Sequence, residues 1–586
     1  MLENVIDPRP ANANLKDYGQ AYRDFSWDTV NAEFSWHATD RINIAHEAID
    51  RHAENPEKAQ QSCLIYSYGS RKEKITYEQM RALSNKFGNV LRRLGVEKGD
   101  RVFLFLPSIP EYYIALAGCA KIGAVIVPLY RCFRKAVVKQ RMLDGKGKVL
   151  VTTPGHRERI PMEELPDLEH TIIVGKGIRG LLDEEVVWSE VMEQASDRLE
   201  ITWVDKEFPL FMIYTTANDA THSALIHPHD SMRGYLMTSR WILDLKDNDI
   251  VWTQGQPGWF MHAVYSAFAP WLCGAASFAT GKMRTADDIY PLIEENGITV
   301  IYTVPAFYRA LVESGEKEAE KYNVGSLRHL LSAVHPLYPE VIYGVMRILG
   351  MPVYNTWWSA ETGMITISNF LCLPLKPGSL GKPCPGIFAS VIDSGDKEAD
   401  HYTMGKLALK TGWPCMAQGV WRNEKKYQQF FHNDNWFMPG HTVFRDADGY
   451  YFYQGRSDDV LMTTDGKIGL SAIEKTLRMH PAVDDAGVIR ITGEKGMKHI
   501  KAFICLKKSY EPTALLEKKI IAFAQRNISA DAAPRDIQFH DSLPRDRGGK
   551  ILRRVLKAWD LGLPVGNIAA LACSAVPPAE TIHEGK

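Results

Sequence analysis

Apolar positions over residues 76–130 change their period repeatedly, and each change predicts an element. In "TYEQMRALSNKFGNVLRRLGVEKGD" (76–100) they recur at helical spacing, then give way to a Gly-Val and a Lys-Gly-Asp turn. The strand-like run "RVFLFLP" follows, and "EYYIALAGCAKIGAVIVPLY" (111–130) predicts a helix leading into a buried strand. Similar units recur at 285–305 and 340–356. Such alternation predicts an α/β protein with parallel-type sheets covered by helices. From about residue 375, "KPGSLGKPCPG" and "DADGYYFYQGRSDD" bring dense Gly/Pro turns and short strands. They predict a β-rich subdomain over about 375–455, closing a large N-terminal domain of 1–455. Beyond it, 456–565 reads as a small α+β domain of about 100 residues. An Ala- and Pro-rich tail, 566–586, is expected to be flexible.

Composition narrows the partners. The chain has 586 residues, enough for two or three domains; 45% are hydrophobic, 24% are charged, and the net charge is −1. Nothing in that balance favours a polyanion, so no nucleic acid is expected. The apolar runs are strand-length, short of the roughly 20 residues that a membrane span needs. The N-terminus "MLENVIDPRP" has no basic region followed by an apolar stretch, and the nine cysteines are scattered without a Cys-x-x-Cys. Both features point to a reduced, cytoplasmic setting.

The stretch "IYTTANDATHSALIHPHD" (213–230) has the layout of a phosphate-gripping loop, an apolar strand, a turn of small and polar residues, then a resumed strand. It contains no glycine, lysine or arginine. Seven other stretches occur in order: "WLCGA" (271–275), "SLRHLLSAVHPL" (326–337), "NTWWSAETG" (355–363), "KPGSLGKPCPG" (376–386), "GYYFYQGRSDDVLM" (449–462), "HPAVDDAGVI" (480–489) and "LPRDRGGKILRRVLKAW" (543–559). Together they resemble the AMP-forming acyl-CoA synthetases of the adenylate-forming superfamily, especially the acetyl-CoA synthetase branch, over roughly 40–565. The resemblance implies ATP, Mg²⁺ and CoA as co-reactants of a small-molecule carboxylate. It also implies a mobile small domain that turns about a hinge between adenylate formation and thioester formation. A triphosphate needs backbone N–H groups in a glycine-permitted curve together with cations.

Against the family pattern Tyr-Thr-Ser-Gly-Thr-Thr-Gly-x-Pro-Lys-Gly, Tyr214 and Thr215 agree and Thr216 is a mild change. Ala217, Ala220 and Ala224 stand at the three glycines, Ser223 at the lysine, and Asp219 adds negative charge. The adenine-side Gly-Glu-Pro reads Val334-His335-Pro336. Ala360 replaces a phosphate-facing threonine beside a retained metal-facing Glu361, and His441 replaces the ribose-binding aspartate. In the small domain, Ser-Gly-x-Arg reads Thr464-Asp465-Gly466-Lys467, which sets Asp465 in the CoA tunnel. Retained by resemblance are Arg456, the hinge Asp458, the adenylation lysine Lys550, and Trp358, which closes the acyl pocket of acetate-specific members. His227 and His229 fall on a family His-x-His, so no metal site is expected of the histidines.

Two readings follow. The expectation taken from the nucleotide positions is that adenylation is lost or repurposed, leaving a scaffold for an acyl-CoA, a protein partner or altered thioester chemistry. In that case Asp219, His335 and His441 form a coupled polar cluster. The alternative is an active short-chain acid–CoA ligase with atypical nucleotide contacts.

Overall fold

The helix expected after residue 76 starts on a reciprocal cap. Gln79 N donates to Thr76 Oγ1 at 3.2 Å and Thr76 N donates to Gln79 Oε1 at 3.0 Å. The helix spans Tyr77–Arg93 and buries Tyr77, Met80, Phe87, Val90 and Leu91 along one face. That face meets Pro110–Lys121, which is buried along nearly its whole length. Glycines at the crossing permit the approach. A Cβ on Gly118 would stand 2.9 Å from the Ser84 carbonyl oxygen and 2.7 Å from Phe87 Cδ1. At the end of the second helix, buried Lys121 places Nζ 2.6 Å from Asp50 Oδ1 and 2.7 Å from Asn85 Oδ1. Burial raises the Asp50 carboxyl and lowers the Lys121 ammonium from their ordinary values, and each partner's charge opposes the shift.

The computed structural model describes residues 5–560 apart from 10, 12, 132, 216–222, 282–287, 335–336, 433–434, 458–459, 464–465, 493–497, 529–531 and 546–550. The described chain packs as two units, one within 1–388 and 410–437, the other within 389–409 and 438–586.

The first unit holds two large sheets, as the helix–strand alternation predicts. One runs Gly419–Val420, Ala224–Pro228, Pro209–Tyr214, Val125–Pro128, Arg101–Phe105, Val149–Thr152, His170–Ile173, Glu185–Val187. It is parallel except for the pairings of Ala224–Pro228 with its two neighbours. The other is nine-stranded, with a parallel centre that includes Ile250–Thr253, Val300–Thr303, His329–Ser332 and Val353–Trp357. Its strands Val300–Thr303 and Val353–Trp357 follow the helices Ile289–Asn296 and Pro339–Leu349. Lys382–Pro383, from the turn-rich stretch, also belongs to this sheet.

In the second unit, Gly405–Lys410 pairs with Ala389–Ile392 and with His441–Arg445, which in turn pairs with Tyr451–Arg456. Farther along, Val483–Thr492, Lys498–Leu506 and Asp536–Phe539 form a three-stranded sheet. Its core takes in Ile473 and Leu477 from one helix and Ile520 from another, with Val488 and Ile504 from the strands. The sequence reading opens the small domain at 456, and the packed unit takes in 389–409 and 438–455 as well. Strand pairing joins Ala389–Ile392, Gly405–Lys410, His441–Arg445 and Tyr451–Arg456. Ser471 Oγ donates to the Gln454 carbonyl at 3.0 Å, tying Tyr451–Arg456 to the helix Leu470–Arg478.

Seven described cysteines are free and at least half-buried. Burial pushes the thiols of Cys273 and Cys505 up to about 12, and raises Cys384 and Cys415 far above the ordinary value.

Gly118→Ala is expected to cost about 1–3 kcal/mol of stability, because the added methyl overpacks a backbone contact. Denaturant unfolding checks this against Gly155→Ala, where the new Cβ meets nothing within 4 Å and the midpoint should barely move.

Candidate functional site

Pro209–Tyr214 is drawn into its sheet by Leu210, Phe211, Met212, Ile213 and Tyr214, all buried. It returns antiparallel as Ala224–Pro228, with Tyr214 opposite Ala224 and Phe211 opposite His227. Thr215 N donates to the Ser223 carbonyl at 3.0 Å, and Thr215 Oγ1 reaches the same oxygen at 3.4 Å. Thr215 and Ser223 therefore close the neck of the loop that the resemblance assigns to phosphate. Thr216 and Asp219 lie outside the described residues. Ser223, at the lysine position, is 6% exposed, so a short hydroxyl is tucked into the neck where a long amine is expected. Below it, Tyr214 Oη donates to Asp144 Oδ2 at 2.7 Å, and the Arg141 guanidinium lies 5.6 Å from the Tyr214 ring centre.

On its other edge, Ala224–Pro228 pairs with Gly419–Val420. Leu225, Ala417 and Val420 make a small apolar cluster, and Ala360 packs against it with Tyr427 and Phe430. The Ala360 methyl thus has apolar company in place of the hydroxyl's polar one. Beside it Glu361 is half-buried, and its backbone oxygen accepts from Ala417 N at 2.9 Å.

Trp358 is half-buried, with the Phe260 ring 5.9 Å away and the Tyr265 ring edge-on at 5.3 Å. Its Nε1 donates to Tyr302 Oη at 3.0 Å. Behind Phe260 the His227 ring lies at 4.3 Å, its Nδ1 bonded to the Cys415 carbonyl at 3.2 Å. His227, His229 and His262 are buried, and desolvation lowers them to about 4, 3 and 3, so all three are neutral. Among the described residues, no three His, Cys, Asp or Glu side chains are grouped so as to hold a metal ion.

After the strand His329–Ser332, Val334 stands half-exposed at φ 76°. A β-branched residue is strained in this left-handed region, which a glycine occupies without cost. His335 follows, outside the described residues. In the second unit, His441 pairs in register with Arg456 and sets its ring edge-on to Tyr453 at 5.2 Å. Lys467 sits opposite Met462 in a hairpin. Asp458, Asp465 and Lys550 lie outside the described residues. The segment carrying Lys550 is flanked by a bridge between Arg545 and Ile551. Near its ends Arg545 bonds Asp485, and Arg553 donates to Glu474 at 2.8 Å.

Residues 50–421 match the AMP-binding enzyme family, and 472–550 match the AMP-binding enzyme C-terminal domain. The chain belongs to the AMP-binding enzyme family. It is 43% identical to an acetyl-coenzyme A synthetase of Bacillus subtilis, across 95% of this chain and 97% of that one. It is 30% identical to an acetyl-coenzyme A synthetase of Methanothrix soehngenii, across 95% and 87%. An acyl-CoA synthetase from Brucella canis superposes with a TM-score of 0.74 at 26% identity, covering 94% of this chain and 99% of that one. The anthranilate CoA ligase AuaEII, solved with anthranoyl-AMP, shares the fold with a TM-score of 0.79 at 24% identity, covering 91% and 99%. Among the described residues no helix is long and apolar enough to cross a membrane.

Within this AMP-binding enzyme, the structure brings together Thr215 with Ser223, Ala360 with Glu361, and His441 with Arg456. It also shows residues that the sequence reading missed: Tyr302, Thr356 and Tyr265 behind Trp358. The available signal was position, since Tyr302 lies near the carboxyl end of a parallel strand, where α/β sheets place ligands.

Two measurements test this geometry. Val334→Gly is expected to raise stability by about 1 kcal/mol by relieving the left-handed strain, visible as a higher unfolding midpoint. The buried histidines set a pH dependence. Their folded pKa values lie below the unfolded value of about 6.5, so their contribution is whole above about pH 6.5 and drains away as pH falls towards 4 and 3. Each adds about 1.4 kcal/mol per pH unit to the slope once the unfolded chain is protonated. An unfolding midpoint that stays level between about pH 7 and pH 5 would contradict their neutral burial.

Proposed function

We propose that this chain is an AMP-forming acid–CoA ligase for a short, acetate-like carboxylic acid, working with nucleotide contacts of its own. The observation that carries the reading is the half-buried indole of Trp358, at the position that closes the acyl pocket of acetate-specific members by resemblance, bonded to Tyr302 and flanked by Phe260 and Tyr265. Kinship supports it, since the acetyl-coenzyme A synthetase of Bacillus subtilis matches over nearly the full length. That kinship favours the alternative over the expectation that adenylation is lost.

Bound ATP supplies the phosphoanhydride: a carboxylate oxygen attacks the α-phosphate, pyrophosphate leaves, and the CoA thiol later displaces AMP. The residues present fit a magnesium nucleotide with fewer charged contacts than the family pattern has. Glu361, whose backbone oxygen is already bonded, would offer its carboxylate to Mg²⁺, and Thr215 would offer a hydroxyl at the loop neck. Lys550 and Arg456 are assigned to the charge that develops on the phosphate. In this reading Asp458 is the hinge of the small domain and Asp465 narrows the path of the thiol. Thr216, Asp219, Ser223, His335, Ala360, His441 and Lys467 are the positions whose chemistry sets nucleotide affinity.

A second reading rests on a specific observation. Ser223 is buried and Ala360 packs into an apolar cluster, so two phosphate-facing positions are built without phosphate-binding groups. In that reading the scaffold binds an acyl-CoA or a protein and makes no adenylate.

Acid-dependent pyrophosphate exchange separates them. Exchange is expected with acetate ahead of propionate and butyrate, at an ATP KM well above the usual range of about 1 μM–1 mM. Each lost charge-assisted contact costs about 1–3 kcal/mol, so Ser223→Lys should raise kcat/KM for ATP about tenfold or more. No exchange with any acid at saturating ATP, in wild type and in Ser223→Lys alike, would leave the second reading standing.

A further inference from the structure

Behind Trp358 runs a line of hydrogen bonds whose direction is fixed by proton count. The indole N–H can only donate, so Tyr302 Oη accepts it at 3.0 Å. Thr356 Oγ1 donates its one hydrogen to the Ser332 carbonyl at 2.9 Å. The 3.0 Å contact between Tyr302 Oη and Thr356 Oγ1 therefore has the tyrosine as donor. Indole, phenol, hydroxyl and carbonyl are each used once along the line, and it works only while the phenol keeps its proton. Tyr302 is wholly buried, and that burial raises its pKa further above the ordinary value.

The anchor is rigid. Tyr302, Ser332 and Thr356 sit on three adjacent parallel strands, Val300–Thr303, His329–Ser332 and Val353–Trp357. Tyr265 stands edge-on to both Tyr302 and Trp358, at 5.3 Å from each. Its own hydroxyl lies 3.0 Å from Thr238 Oγ1 and accepts from Ile365 N at 3.1 Å. The indole is the one partly exposed member, held by a polar bond on its edge and by aromatic rings beside it.

We propose that Tyr302 is a positioning residue for acyl-chain length: it fixes the depth of the carboxylate pocket by holding the Trp358 indole. The proposal rests on the short-acid reading of this site. Without the phenol oxygen, the indole N–H loses the acceptor that holds it, and the half-exposed ring is free to shift. One methylene in an apolar pocket discriminates by roughly 10- to 200-fold, so a small movement of the indole is enough to change selectivity.

The test compares kcat/KM for propionate with that for acetate across a set of variants. Tyr302→Phe keeps the ring and is expected to raise the propionate-to-acetate ratio roughly five- to tenfold, the worth of one neutral hydrogen bond. Thr356→Val should shift the ratio the same way by less, while Thr356→Ser, which keeps the hydroxyl, should hold it near the wild-type ratio. In a Trp358→Phe background, Tyr302→Phe should add nothing, because the two residues act as one unit. An unchanged ratio in a folded Tyr302→Phe enzyme overturns the proposal, and so does an equal shift with Trp358 already removed. Should Tyr302→Phe fail to fold, equal ratios in Thr356→Val and Thr356→Ser overturn it in the same way. A wild type that turns over neither acid is a separate failure, which removes the short-acid reading and this proposal with it.

Discussion

The candidate site depends on one antiparallel pairing, Pro209–Tyr214 with Ala224–Pro228. It inserts a reversed strand into an otherwise parallel sheet and so sets Thr215 against Ser223. The neck bond from Thr215 to Ser223 closes that loop whatever residues fill it. Backbone pairing is indifferent to side-chain chemistry, so the frame can survive while glycines become alanines. Ala360 shows the same separation, since its methyl is taken up by Leu225, Ala417 and Val420 without disturbing the strand beyond. The backbone frame of this strand pair and the chemistry of its side chains are thus separable properties.

Much of the fold was legible because it is written in periodicity. The helices at 77–93 and 110–121, and the strands that follow them, appear where apolar spacing predicts them, and the capped start at Thr76 is a local signal. The reversed strand was placed by its apolar residues, but its direction was not visible, because pairing partners distant in sequence leave no mark on a single strand. The divide between units was less legible. Pairing of Ala389–Ile392 with Gly405–Lys410, and of the latter with His441–Arg445, draws those residues into the second unit, and no compositional shift reports such pairing.

The site was legible in identity and opaque in support. Trp358 could be named from its motif, whereas Tyr302, Thr356 and Ser332 lie in unremarkable apolar strands. Their role comes from three strands meeting side by side, which is a tertiary fact. Val334 was visible as a departure from a glycine, yet its positive φ, a conformation that glycine adopts freely, was not. Residues that meet a ligand leave sequence motifs more readily than residues that meet only each other.

The burial of the cysteines bears on side reactions. An acyl adenylate is an acylating agent, and its intended acceptor is a free thiol. A thiol reacts as its anion, and Cys273, Cys384, Cys415 and Cys505 are held protonated far above neutral pH. At neutral pH those sulfurs stay protonated and so are weak acceptors for an acyl group.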